Sequence, residues 1–456
     1  MSMLSLAELA GMVGGQLRGN DGTFDGVSTD TRTLQHGELF VALHGPNFDG
    51  HDYLQLAQSR GAAGALVDRV VEAGLSTVIV ADTLRGLGDL GRGWRGRCPA
   101  RVIGITGSNG KTTLKEMTAA ILARRGAVLA TRGNLNNDIG VPLTLARLRD
   151  EPFAVIEMGA NHAGEIDYLT RMAQPDVAVL NNAGRAHLEG FGSIEGVAHA
   201  KAEIVNGLHA DGVFVFNADD SYAGLWRKLG KAFKQQTFGV REAADVASPA
   251  DRYAVVWHGN RFEARFPVIC AQGEIEFALQ LAGEHNRMNA LAATAASLVV
   301  GADLDDAQQA LATLAPVAGR LCPLPGVNGA RLIDDSYNAN PDSVIAALRV
   351  LAAAPGRRTL VLGDLAELGA DAAALHRQLG EHAAQMGIDR VMTVGQLSGH
   401  AGSGFTGEHR HFADRDALLD RLLAELSAED SVLIKGSRAA RMDEVVARLQ
   451  DREVAC

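Results

Sequence analysis

The stretch RVIGITGSNGKTTLKEMTAAILARRG, residues 101–126, decides the fold. Residues 101–106 read as a buried strand. From Thr112 a helical period puts Leu114, Met117 and Ile121 on one face, and Gly126 ends the pattern. Between strand and helix lies a glycine-rich loop closed by Lys111. In such a loop the glycines let backbone N–H groups turn inward, and the following helix points its positive end at an anion. The strict phosphate-loop pattern needs a glycine five residues before Gly110, where Ile105 stands. Thr106, Gly107, Ser108, Asn109, Gly110, Lys111, Thr112 and Thr113 therefore form a shorter variant. In it Lys111 would meet the outer phosphates of ATP, and the Thr112 hydroxyl would bind magnesium. The bland alternative is a glycine turn, and the strand-to-helix placement favours the phosphate reading. By itself the loop fits a switch, a motor, a kinase or a ligase.

The same rhythm continues outward. FAVIEMG (153–159), DVAVLNNAG (176–184) and GVFVFNAD (212–219) read as buried strands between helices, which implies a largely parallel sheet covered on both faces. The alternating DRYAVVWHGNRFEARF (251–266) suggests a hairpin added at the sheet edge. From about 315 the pattern restarts with RLIDDSY, RRTLVLGDL, RVMTVG and SVLIKGS. Residues 1–82 hold a short helix and apolar runs of a small α/β unit, and the glycine-rich 86–99 reads as a boundary region. The expected fold class is α/β with three domains: 1–82, a central phosphate-loop domain at 83–314 with a mostly parallel sheet, and a Rossmann-like domain at 315–456.

A chain of 456 residues suits about three domains, and 47% hydrophobic residues suffice for large cores. A net charge of -11 without a lysine- or arginine-rich block argues against nucleic-acid binding. Four scattered cysteines indicate neither a disulfide framework nor a zinc site. The N-terminal residues do not read as a signal peptide, and no apolar run is long enough to span a membrane. A cytoplasmic protein is expected.

Glu157 ends a buried strand, where a carboxylate points into the crevice used by ligands and suits magnesium. His187 follows the next strand, but a lone histidine is more often structural. Lys201 lies in an expected helix, where a solvated lysine is the default. The stretch Asp334–Pro341 is denser in hydrogen-bonding groups than a capped turn requires. Lys435, Ser437 and Arg438 follow another strand and suit a second anionic group.

Seven ordered stretches resemble the Mur ligase family: TGSNGKTT, GNLNNDIGVPLTL (133–145), EMGANHAGEI (157–166), NNAGRAHLEGFGSIEGVAHAKAEI (181–204), GEHNRMNALAA (283–293), DDSYNANPDS (334–343) and LIKGSRAARM (433–442). The resemblance implies an ATP- and Mg2+-dependent amide ligase. It would act as a monomer and join D-alanyl-D-alanine to UDP-N-acetylmuramoyl-tripeptide through an acyl phosphate. It also implies roles. Lys111, Glu157, His187 and Lys201 would be catalytic. Thr112, Glu157, His187 and Lys201, the last as a carbamate, would serve the metal. Asn137, Asn286, Arg320, Asp335 and Asn338 would join the loop around ATP. Ser28, Thr29, Asp30, Arg32, Asp49, Gly50 and His51 would hold the UDP-sugar, and Lys435, Ser437 and Arg438 would also bind substrate. Asn137 is chosen from three asparagines in GNLNND. The rivals are a diaminopimelate- or lysine-adding ligase of the same family, and a nucleotide-dependent switch.

Overall fold

A computed structural model describes residues 2–72, 74–185 and 188–451. Three main sheets follow one another along the chain, and two short two-stranded ribbons accompany the first. The first main sheet has five strands, and its parallel core is Gly26–Ser28, Glu38–Val41, Gly64–Val67 and Thr77–Ile79. Helix Thr83–Arg95 follows, with the Asp82 carboxylate capping the Leu84 and Arg85 N–H groups. The glycine-rich boundary read at 86–99 is thus mostly helix. Leu87 and Leu90 are fully buried against the first sheet's core. The glycines serve close approach: a Cβ on Gly91 would come within 2.7 Å of Pro142. Tertiary packing overrides low helix propensity here.

The central sheet is built from β1 (Arg101–Thr106), β2 (Val128–Ala130), β3 (Phe153–Glu157), β4 (Val177–Leu180), β5 (Val213–Asn217), β6 (Lys234–Gly239) and β7 (Val246–Ala247), all parallel. β8 (Ala254–His258), β9 (Arg261–Cys270) and β10 (Gly273–Leu279) extend its edge antiparallel. The strand order is β2-β3-β1-β4-β5-β6-β7-β9-β8, with β10 on β9. The hairpin read at 251–266 is present. Its third strand, GEIEFAL, escaped the sequence reading because its apolar alternation is short. Helix α1 (Lys111–Leu122) packs against α2 (Glu284–Val299) over the sheet centre, where Leu114, Met117 and Ile121 are fully buried. The hairpin also reaches beyond its own unit. Phe262, 2% exposed, shares a core cluster with Leu321, Ile333 and Leu348 of the third unit, and Trp257 packs on the same cluster.

The third sheet has six strands: β11 (Cys322–Pro325), β12 (Arg331–Asp335), β13 (Arg357–Gly363), β14 (Arg390–Val394), β15 (Glu408–Phe412) and β16 (Asp430–Lys435), ordered β11-β12-β16-β13-β14-β15. Only β11 runs antiparallel. β11 and β15 went unread in the sequence, since proline, charge and histidine interrupt their apolar pattern. Helix α3 (Pro341–Ala352) follows β12, capped by Asn340 with proline at its first position. No helix among the described residues is long and apolar enough to cross a membrane.

Candidate active site

The site follows from where parallel strands end. In register, Ile105 lies beside Glu157 and Thr106 beside Leu180, so the carboxyl ends of β1, β3 and β4 open into one crevice. Here the chain turns sharply. Gly107 and Gly110 have φ of 154° and 78°, and a Cβ on Gly110 would fall 2.5 Å from the Asn289 side chain. Gly110 caps α1 without a side chain, which leaves the helix's first N–H groups for an anion. The Lys111 ammonium donates to the Gly107 and Ser108 carbonyls at 2.8 and 3.4 Å, folding over the loop it would share with phosphate. Its enclosure pushes its pKa below the usual lysine range. Glu157 opposes that shift and Arg320 adds to it.

Across the crevice, Glu157 is 1% exposed. Its carboxylate accepts from the Thr112 hydroxyl at 3.0 Å and from Asn136 Nδ2 at 2.8 Å. Asn136 therefore reaches Glu157. Asn137, the asparagine chosen from sequence, uses its Oδ1 to accept from the Gly140 N–H at 2.9 Å and lines the same cavity from one residue further along. The chain turns and bends through 133–138, which sends the neighbouring Asn136 and Asn137 side chains to different places, and sequence alone does not set that geometry.

Lys201 is not a surface residue. It is 1% exposed at the end of helix Ile194–Ala202, and its ammonium donates to the Ala160 carbonyl at 3.2 Å, with the Phe191 ring 5.3 Å away. No carboxylate lies within ion-pairing distance of it among the described residues. Burial, with the Lys111 charge adding to it, pushes its pKa down to about 7. Ala160, which Lys201 bonds, lines the cavity described below. His187 lies outside the described residues.

The third unit supplies the opposite wall. Asp335 and Lys435 are register partners on β12 and β16, and form a buried pair at 2.5 Å. Asp335 also accepts the Leu321 N–H at 3.2 Å. Leu321 has φ of 52°, a conformation leucine rarely adopts. Beside this kink, Arg320 donates to the Thr112 hydroxyl at 3.0 Å and lies over the Tyr337 ring at 4.5 Å. Arg438 approaches the same ring at 5.7 Å, and the Ser437 hydroxyl donates to the Asp364 carbonyl at 2.6 Å. The Asn338 carbonyl accepts from Lys435 at 3.1 Å.

These walls enclose a cavity of about 830 Å³. Lining it are Ser108 to Thr113, Asn137, Glu157, Asn286, Arg320, Asp335, Asn338, Lys435, Ser437 and Arg438, every one singled out in the sequence. Thr106 lies beneath it, donating to the Met158 carbonyl at 2.9 Å. The residues chosen in the first unit do not line it. Ser28, Asp30 and Arg32 form one local cluster, in which Arg32 donates to the Asp30 carboxylate at 2.7 Å. Asp49 and His51 form another, with 2.7 Å between carboxylate and ring. Thr29 follows strand Gly26–Ser28, and Gly50 opens the short 3-10 helix Gly50–Tyr53 that carries His51. The sequence reading also missed Asn181 and Asn289. Asn181 Nδ2 donates to Asn289 Oδ1 at 2.8 Å and to the Asn109 carbonyl at 3.0 Å, tying α2 to the phosphate loop. His285 on the same wall has its pKa pushed down to about 4 by burial. All three fall within quoted motifs, where their density was the available signal.

The Mur ligase middle-domain model matches residues 105–297, and the Mur ligase glutamate ligase domain model matches residues 319–438. A UDP-N-acetylmuramoyl-tripeptide–D-alanyl-D-alanine ligase of Escherichia coli K12 is 47% identical over 99% of both chains. The chain belongs to the Mur ligase family. As a Mur ligase it also resembles solved structures along nearly its whole length. MurF from Acinetobacter baumannii superposes with a TM-score of 0.90 at 35% identity, covering 98% of this chain and 99% of that one. The MurF ligase from Thermotoga maritima, solved with ADP, gives 0.83 at 28% identity over 93% and 96%.

Proposed function

We propose that this Mur ligase joins D-alanyl-D-alanine to the terminal carboxylate of UDP-N-acetylmuramoyl-tripeptide, at the expense of ATP, in peptidoglycan synthesis. One observation carries the reading: a phosphate loop in the central unit faces the Asp335–Lys435 and Arg438 wall of the third unit across one cavity. A switch needs the first wall only. The name carried by the Escherichia coli relative selects the substrates within the family.

The chemistry explains the two walls. A carboxylate resists an amine because oxide is a poor leaving group. In the first step a carboxylate oxygen attacks the γ-phosphorus, and the bond to the β-bridging oxygen breaks and releases ADP. The amine nitrogen then attacks the acyl carbon, loses its proton, and phosphate leaves with the electron pair of the C–O bond. The protein's part in the first step is positioning and charge neutralisation. Lys111 and the N–H groups at the start of α1 would hold the phosphates. Arg320 would take a phosphate oxygen in place of the Thr112 hydroxyl. Asn286, Asp335 and Asn338 would frame the nucleoside, with Asn137 beside the loop. Lys435, Ser437 and Arg438 would orient the peptide side.

The Thr112 hydroxyl and the buried Glu157 carboxylate are both oxygen donors, and they fit a hard divalent cation. Magnesium held there would offset charge on the transferring phosphoryl group. His187 is proposed to assist. Lys201 is proposed to do so as a carbamate, formed when its neutral amine adds to CO2 and loses a proton. A buried lysine amine with a depressed pKa suits that reaction.

We assign residues 1–82 to the UDP-sugar, with Ser28, Thr29, Asp30, Arg32, Asp49, Gly50 and His51 as its contacts. Residues 83–314 are assigned to ATP and 315–456 to the closing ligase unit. Both walls of the cavity come from one chain, which supports action as a monomer. The cytoplasm, which supplies ATP, is the proposed compartment. The test is phosphate release with UDP-N-acetylmuramoyl-tripeptide and a panel of amines. Release that depends on D-alanyl-D-alanine is expected. Stimulation by diaminopimelate or lysine instead would move the chain to a sister activity, and amine-independent hydrolysis would favour a switch.

A further inference from the structure

One contact between units has no part in the chemistry above. Asp342, at the start of α3, accepts from the Arg185 backbone N–H at 2.7 Å and from its Nε at 2.9 Å, and Arg185 Nη2 lies 2.7 Å from the same carboxylate. Arg185 stands on the loop after β4. That loop is itself bonded to the phosphate loop: the Gly184 N–H donates to Ser108 Oγ at 2.9 Å, and the Asn109 N–H donates to Asn182 Oδ1 at 2.8 Å. Asn340, which caps α3, donates through Nδ2 to Asn109 Oδ1 at 2.7 Å. The fit is close, since a Cβ on Gly184 would come within 2.9 Å of the Asp342 carboxylate. Three segments, two from the central unit and one from the third, thus meet in one hydrogen-bonded junction beside the anion site.

A bare carboxylate at that place would repel a triphosphate. Arg185 neutralises it. The planar guanidinium with the adjacent N–H also fixes the direction from which the carboxylate approaches, as a lysine would not. We propose that Arg185 and Asp342 are a positioning pair that fastens the third unit over the phosphate loop and so sets the enzyme's hold on the incoming amine. This deepens the ligase reading and rests on it for the activity readout.

The experiment is a double-mutant cycle in the full chain with Arg185→Gln, Asp342→Asn and the double variant. It is read by KM and kcat for D-alanyl-D-alanine and ATP, and by small-angle scattering. Thermal melting confirms that each variant is folded. Each single variant is expected to raise the KM for D-alanyl-D-alanine about fivefold, the reach of one partly exposed pair, with kcat changed less. The double variant should be no worse than either single one. Arg185→Gln should raise the KM for ATP more than Asp342→Asn, because only the former leaves the carboxylate bare. Added salt should erode the wild-type advantage. Scattering should report a larger radius of gyration for all three variants. Additive losses, or singles with wild-type KM and wild-type scattering, would overturn the proposal. Scattering does not depend on which amide is made, so failure of the ligase reading would show separately, as absent amine-dependent turnover in the wild type.

Discussion

Replacing Lys201 with methionine tests the least expected part of the site. The amine is buried, and its pKa falls from 10.5 to about 7. At pH 7 about half of these amines are therefore neutral, against roughly three in ten thousand for an exposed lysine, a gain of about a thousandfold in the form that adds to CO2. The same shift costs stability. The depressed pKa favours the neutral amine in the folded state, so the penalty is absent above pH 10.5 and grows as pH falls toward 7. At pH 7 it is about 4 kcal/mol. Methionine has nearly the same shape, and gives up one hydrogen bond worth about 1 kcal/mol. In CO2-free buffer at pH 7, Lys201→Met should thus stabilise the central unit by about 3 kcal/mol, seen as a higher calorimetric midpoint. The advantage should shrink toward pH 10 and also when bicarbonate is supplied. With 13C-bicarbonate, the wild type should show a carbamate carbon resonance that the variant lacks. Ligation should fall at least a hundredfold, and Lys201→Ala should regain part of it with added formate or acetate. A variant that is less stable at pH 7 without CO2, or one that keeps full turnover, would refute the reasoning.

Three further outcomes follow from the same geometry. Lys111→Ala should lower ligation by about a thousandfold while leaving the melting temperature near wild type, since among the described residues its ammonium bonds only loop carbonyls; near-normal turnover would remove the phosphate assignment. Glu157→Gln keeps a partner for Thr112 but loses the charge, so the magnesium concentration for half-maximal rate should rise about tenfold or more, and an unchanged requirement would exclude Glu157 as a ligand. His285 is held neutral by burial, with its pKa lowered from 6.5 to about 4. The sign is that of a base depressed on folding, so stability is lost as pH falls from 6.5 toward 4. His285→Gln should flatten that part of an acid titration, and an identical acid limb would show that His285 does not contribute to it.

Much of the site could be read in advance because its residues stand at the carboxyl ends of apolar strands, where periodicity fixes position without knowledge of packing. The phosphate loop, Glu157, Asp335 and Lys435 are of this kind. Residue type alone puts Lys201 in solvent, because its burial comes from helix packing; the family resemblance is what points to a role for it. Asn136 and Asn137 show a finer limit: the composition of GNLNND announces a polar loop, while the side chain that meets Glu157 depends on backbone geometry. Helix Thr83–Arg95 was hidden by glycines that are there for close contact. Arg185 and Asp342 both fall within quoted motifs, but nothing in either stretch says that they meet, because a cross-unit ion pair has no spacing rule.

The hairpin of β8 and β9 has a mechanical consequence. Its Phe262 lies in the core of the third unit, 2% exposed, although it belongs to the central sheet. Any swing of the third unit that uncovered this ring and the neighbouring Trp257 would return a large apolar surface to water, at a cost of several kcal/mol. A turn of the third unit about the hairpin tip would avoid this cost, because it would leave the aromatic pair covered.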